Sequence, residues 1–155
     1  MRRYLWAFAV PAAALFVIAA TAVASPGQGS SATAGVRCVL NTQMSAANEP
    51  SSTSTAKGHA QLKVWKNGQL SYRVFILNKG GETFFAGHIH LTATGGIIQG
   101  LFAGPNTTAR QIRISNTISI DPALATGLCT TPANYYVNFH TTAVPAGAIR
   151  GNLTG

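Results

Sequence analysis

From residue 36 to the C-terminus, apolar and polar side chains alternate in short runs, and each run is closed by residues that favour turns. Alternation with a period of two puts one set of side chains on each face of an extended strand, so these runs predict strands. The runs are 36–43, 58–66, 70–77, 84–92, 96–102, 111–120, 135–141 and 148–153. Lys79-Gly80-Gly81, Gly95-Gly96, Ala103-Gly104-Pro105-Asn106, Asp121-Pro122 and Pro145-Ala146-Gly147 punctuate them. A polar loop containing Pro50 fills 46–56, and Ala123-Leu124-Ala125 is expected to form a single helical turn. About eight short strands at this spacing predict an all-β domain, a Greek-key sandwich or barrel.

The clearest hairpin surrounds Asn67-Gly68. A two-residue loop there would set Leu62 beside Arg73 and Val64 beside Ser71, mixing apolar with polar partners. A three-residue loop, Asn67-Gly68-Gln69, pairs Val64 with Tyr72, Leu62 with Val74 and Ala60 with Ile76, and sets Lys63 opposite Arg73. That register keeps apolar residues on one side, so the longer loop is expected, with a bulge at the glycine.

Ahead of the strands the pattern changes. Arg2 and Arg3 precede an apolar stretch over 5–20, and Ala22-Val23-Ala24 offers a cleavage site before Ser25. Residues 1–24 therefore read as a secretory signal peptide; Pro11 and the small residues favour cleavage over retention as an anchor. Residues 25–35, small and Gly-rich, form a flexible leader, and 36–155 form the domain. The chain carries a formal +8, of which Arg2 and Arg3 supply two, leaving +6 on a mature chain of 131 residues. The remaining cations are dispersed along the sequence, which argues against a nucleic-acid partner. It leaves attraction to anionic surface polymers open. Only 9% of residues are charged, against roughly 25% in an average soluble domain.

Cys38 and Cys129 are the only cysteines, 91 residues apart. In an exported chain an even count predicts a disulfide, worth roughly 4–5 kcal/mol in the chain-entropy model.

Several segments, taken in order, match a known pattern: Asn48-Glu49-Pro50, Gly58, Gly87-His88-Ile89-His90, and the run 97–102 (IIQGLF). Tyr136-Val137-Asn138-Phe139-His140-Thr141 and Pro145 through Ile149-Arg150-Gly151-Asn152-Leu153 follow. The domain resembles the chordin-type CHRD family over roughly 36–155, and the closing run is the most specific part. Ala148, where an acidic residue is frequent, and the Thr-rich stretch after His90 depart from the family pattern. The resemblance implies a secreted, extracellular module, periplasmic or cell-surface included, with an immunoglobulin-like barrel distantly similar to Cu/Zn superoxide dismutase.

Three of the four histidines lie in the best-matching segments. Strand parity projects His88 and His90 together on an outer face, with Ile89 and Leu91 inward; Val137 and Phe139 also point inward, and Asn138 and His140 outward. If the two strands are neighbours, His88, His90 and His140 converge as a ligand set for Zn²⁺ or Cu²⁺, with Asn138 and Arg150 beside it. Cu/Zn superoxide dismutase also uses an H-x-H pair on a strand. Outward imidazoles that only hydrogen-bond to neighbouring loops are the competing reading; ring separations near 4–5 Å or above 10 Å separate the two. His59 falls on the outer side of the hairpin, and Arg150 is expected to pair with Glu49 or the C-terminal carboxylate.

Other chemistry lacks its residues. Glu49, Glu82 and Asp121 are the only acids, too few for paired-carboxylate glycosidase work without two of them meeting. No G-x-S-x-G elbow and no phosphate loop occurs. The sequence therefore points to a secreted, non-catalytic binding or structural module engaging an extracellular protein or cell-envelope polymer, with no membrane span after signal cleavage. The alternative is a Cu- or Zn-binding protein centred on the three histidines, with superoxide dismutase-like turnover as its furthest extension.

Overall fold

The computed structural model describes residues 35–155; the expected signal peptide and all but the last residue of the expected leader lie outside the described residues. Eight strands follow the alternating runs: β1 (Val36–Ser45), β2 (Lys57–Trp65), β3 (Gln69–Leu77), β4 (Phe84–Leu91), β5 (Ile97–Thr107), β6 (Gln111–Ser119), β7 (Tyr135–Thr141) and β8 (Ile149–Asn152). They pair antiparallel in the order β5-β4-β7-β8-β1-β2-β3-β6. Sequential strands β3 and β4 sit far apart in that order, as do β5 and β6, so the chain crosses between two halves as a Greek key does. The halves join along β1 and β8, where Ser45 pairs with Arg150 and Asn41 bridges Thr154 just beyond β8. They face each other across the core, where the Tyr72 hydroxyl of β3 donates to the Leu101 carbonyl of β5.

Parity sorts the side chains as the sequence predicts. On β2, Ala60, Leu62 and Val64 are buried; on β3, Leu70, Tyr72, Val74 and Ile76 are. Ile89, Val137 and Phe139 are each 0% exposed, and they join Leu40, Phe84 and Ile149 in one core.

Three details differ from the sequence expectation. The hairpin loop has three residues, but they are Lys66-Asn67-Gly68, so Val64 faces Leu70, Leu62 faces Tyr72, and Lys63 faces Ser71 rather than Arg73. The reason lies in the turn: a three-residue hairpin loop ends on a left-handed residue, and Gly68, at φ +80°, fills that last position. Its N–H donates to the Trp65 carbonyl at 3.2 Å. The shift from the expected register is two residues, so every side chain keeps its face.

Secondly, β5 runs on to Thr107, through the Gly104-Pro105-Asn106 segment expected to be a turn. It is an edge strand of the sheet, where a proline deprives no neighbour of a hydrogen bond. Thirdly, the expected single turn at 123–125 is the helix α1 (Pro122–Thr130). Asp121-Pro122 is its start and not a β-turn: the Asp121 carboxylate accepts from the N–H groups of Ala123 (2.7 Å) and Leu124 (3.3 Å), with proline at the first helical position. Buried Ala125 and Leu128 hold the helix to the sheet. The Cys38–Cys129 disulfide, Cα–Cα 5.7 Å, ties its last turn to β1.

The junction of the two halves depends on Gly151. A Cβ there would stand 2.1 Å from the backbone oxygen of Gln43 and 2.3 Å from the Thr42 hydroxyl, so β8 can lie this close to β1 only without a side chain. Because the first obstacle is backbone, Gly151→Ala is expected to lose roughly 1–3 kcal/mol, towards the upper end. Urea denaturation monitored by near-UV circular dichroism measures this, and an unchanged midpoint would contradict the close approach.

Candidate metal centre

β7 is the most enclosed strand of the sheet. Its residues from Tyr136 to Thr141 are all buried, so its outward row is as covered as its inward row. β4 pairs with it in a register that sets Ile89 opposite Val137 on the core side. On the outer side His88 faces Asn138, His90 faces Tyr136, and the small Ala86 faces His140. Ala86 leaves room for the His140 ring to lean towards His88.

The three imidazoles converge. Each offers a ring nitrogen, and these nitrogens lie within 4.8 Å of one another. Nδ1 of His88 and Nε2 of His140 are 3.1 Å apart. Ligands bound at about 2.0–2.1 Å to one ion stand about 3.3–4.2 Å apart, so the set closes on an ion with shifts of an ångström or less. The ring centroids of His88 and His140 are 4.9 Å apart, within the roughly 4–5 Å expected of a shared ion, and those to His90 are 5.5 and 5.8 Å, just above it and well below about 10 Å.

Two backbone carbonyls orient the rings. His90 Nδ1 lies 2.9 Å from the Gly95 carbonyl, and His140 Nδ1 lies 3.0 Å from that of Pro145. A carbonyl only accepts, so each Nδ1 carries the proton and each Nε2 presents a lone pair to the cluster; that of His140 accepts from His88 Nδ1–H, a proton an ion would displace. His90 Nε2 is buried and has no hydrogen-bond partner. A nitrogen lone pair in that state carries a desolvation cost that a bound cation would remove.

The sequence places these rings on outer faces, and they are there, but His90 and His140 are only 5% and 6% exposed. The loops carrying Gly95 and Pro145 fold over the sheet and cover them. His59 is elsewhere, exposed on β2 with its ring 5.4 Å from that of Phe75.

Around the cluster stands a stack that strand reading left out. The Tyr136 ring lies parallel to His90, with centroids 4.9 Å apart and 9° between planes, and the Arg150 guanidinium sits 4.8 Å above the other ring face. Arg150 Nε also donates to the Asn48 carbonyl and lies 3.9 Å from Glu49 Oε1, so of its two expected partners Glu49 is the one it meets. Parity alone could have found Tyr136, since positions 136, 138 and 140 share a face. The two carbonyls each follow their histidine by five residues, a spacing that carries no signal until the loops are seen to fold back.

Electrostatics favour the neutral form of His88 and His140. Burial lowers the pKa of His88 below the usual imidazole value, helped by positive charge on His140 and His90. Burial also lowers that of His140; the Pro145 carbonyl opposes the shift and His90 adds to it. Glu49 is pushed up by burial, against the pull of Arg150, His90 and Asn138.

The sequence model of one family, the CHRD domain, matches residues 40–153, a span that includes all three histidines and begins just after Cys38. The chain belongs to the CHRD domain family. No curated protein matches it, and no solved structure does.

Histidines held neutral in the fold bind fewer protons than the unfolded chain does below about pH 6.5. Stability is then present above that pH and is lost as pH falls through the lowered native values. Glu49, pushed up by burial, works in the opposite direction at more acidic pH. Metal-free protein should show a lower urea midpoint at pH 5.5 than at 7.5, with the difference reduced in His88→Gln/His140→Gln. A midpoint that rises on acidification contradicts the assignment.

Proposed function

We propose that this CHRD-domain chain is an exported binding module that works without catalytic turnover and holds one Zn²⁺ or Cu²⁺ ion through His88, His90 and His140. The observation that carries the reading is the meeting of three ring nitrogens within 4.8 Å, two of the rings already fixed through Nδ1. Neutral imidazole suits both ions, and on intrinsic affinity Cu²⁺ exceeds Zn²⁺. Bound there, the ion would clamp the Gly95 and Pro145 loops onto β4 and β7 through rings that already contact both.

Export is supported by the signal pattern of residues 1–24 and by the disulfide, which fits an oxidising compartment. Among the described residues no helix is long and apolar enough to cross a membrane. The non-catalytic reading draws on the family and on the acids, each of which has a structural position. Glu49 faces Arg150, Glu82 accepts from Ser54 and Thr55, and Asp121 caps α1. An extracellular protein or cell-envelope polymer would meet the module through its sheet faces or loops.

Calorimetric titration of chelator-treated protein with Zn²⁺ and with Cu²⁺ tests the reading. One saturable site per chain is expected, weakened in His88→Ala and His140→Ala by at least the roughly 10–100-fold that losing a mere outer partner costs. Free metal at a hundred times its Kd should stabilise the fold by about 2.7 kcal/mol. No saturable binding at micromolar metal overturns the ion site. Superoxide dismutation by the loaded protein, above that of the free ion, overturns the non-catalytic half.

A further inference from the structure

Along the sequence the cations are scattered, but the fold gathers several of them. Lys57, Lys63, Arg73 and Arg113 all occupy outward positions on the adjacent strands β2, β3 and β6. Registers place them in rows across the sheet: Lys63 beside Ser71 and Thr117, Arg73 between Gln61 and Ser115, Arg113 beside Phe75 and His59. Among the described residues the ion pair present is Arg150 of β8 with Glu49 in the loop after β1, so these four cations stand without a carboxylate partner. The three acids are held on the opposite half or at loops and a helix cap, so this outer face is uniformly positive.

The relief of the face has the form of a binding surface. Two shallow troughs of about 490 and 640 Å³ lie side by side on it, and Arg73 lines both. Between the charges stand amide and hydroxyl groups: Gln43, Gln61 and Ser115. These groups are suited to accepting from and donating to the hydroxyls of a sugar, while the cations suit acidic substituents. We propose that the outer face of β2, β3 and β6 binds an anionic polysaccharide lying across the strands, with Lys63, Arg73 and Arg113 contacting its acidic groups.

A single-stranded nucleic acid carries similar charge but needs a succession of open ring faces on which its bases stack. Here Phe75 has the Arg113 guanidinium 5.0 Å above its ring and the His59 ring beside it, and the Trp65 indole N–H is fixed by a hydrogen bond to Ser71 at 2.8 Å. The rings are packed among the polar groups and do not form a stacking platform. This site shares no residue with the three histidines, so it stands whether or not they hold an ion.

The test is binding of the purified chain to polygalacturonate, with neutral dextran and single-stranded DNA of matched length as comparisons, in low and in moderate salt. Saturable binding to polygalacturonate is expected, weakening as salt rises because the contacts are exposed charges. It should be the same after chelator treatment as after metal loading. Lys63→Glu/Arg73→Glu should weaken it at least tenfold. Lys79→Glu, an exposed charge on the turn after β3, should change it less than twofold. Arg113→Gln, a milder change on the same face, should weaken it severalfold and serves if the double variant fails to fold. Absence of binding in low salt, equal loss in Lys79→Glu, or tighter binding of DNA than of polygalacturonate would each overturn the proposal.

Discussion

The register between β4 and β7 is the constraint on which the rest of the molecule's chemistry depends. Ile89, Val137 and Phe139 are fully buried on the inner side, and moving either strand by one residue would exchange them for imidazoles and an amide. Core packing therefore fixes the outer row as firmly as the inner one. The outer row then becomes a second, polar interior, because two loops close over it. Burying imidazoles is costly unless their nitrogens find partners, and the Gly95 and Pro145 carbonyls satisfy one nitrogen on each of two rings. What remains is a His140 nitrogen whose partner is His88 and a buried His90 nitrogen with nothing to accept from. A polar pocket of that kind suits a cation better than it suits a hydrophobic or anionic ligand.

Much of this was legible in the chain, because alternation survives errors of detail. The hairpin shows why. Its loop falls one residue earlier than expected, the pairing moves by two, and Ala60, Leu62 and Val64 still enter the core. The sign of a face depends only on odd and even, whereas the identity of each neighbour depends on which residue occupies the left-handed position of the turn. The disulfide was legible from cysteine count and compartment. The convergence of His88, His90 and His140 was legible only as a condition, that β4 and β7 be neighbours, and strand order is a non-local property that alternation does not encode.

The misreadings have a common cause. Gly104-Pro105-Asn106 has turn chemistry, yet β5 continues through it, since an edge strand asks nothing of the proline nitrogen on its open side. α1 exceeds one turn because Leu128 and Cys129 are anchored to the rest of the domain, which overrides the weak helix preference of Thr126-Gly127. The outer face expected to carry the histidines is covered by loops whose path no local pattern dictates. In the same way, cations dispersed in one dimension become neighbours in two once β2, β3 and β6 lie side by side. Charge scatter along a β chain is thus a poor guide to charge scatter on its surface. The two halves of the sheet carry different chemistry as a result, clustered imidazole nitrogens on the β4–β7 side and cations without a carboxylate partner on the β2–β3–β6 side.

A nitrogen ligand set and a merely hydrogen-bonded polar layer would respond differently to an ion offered to the buried outer row. X-ray absorption spectroscopy of the Zn²⁺-loaded chain reads that directly. Three imidazole nitrogens at about 2.0–2.1 Å, with the outer-shell scattering of histidine rings, is the predicted result. A shell of oxygen atoms alone, with no imidazole scattering, would contradict it.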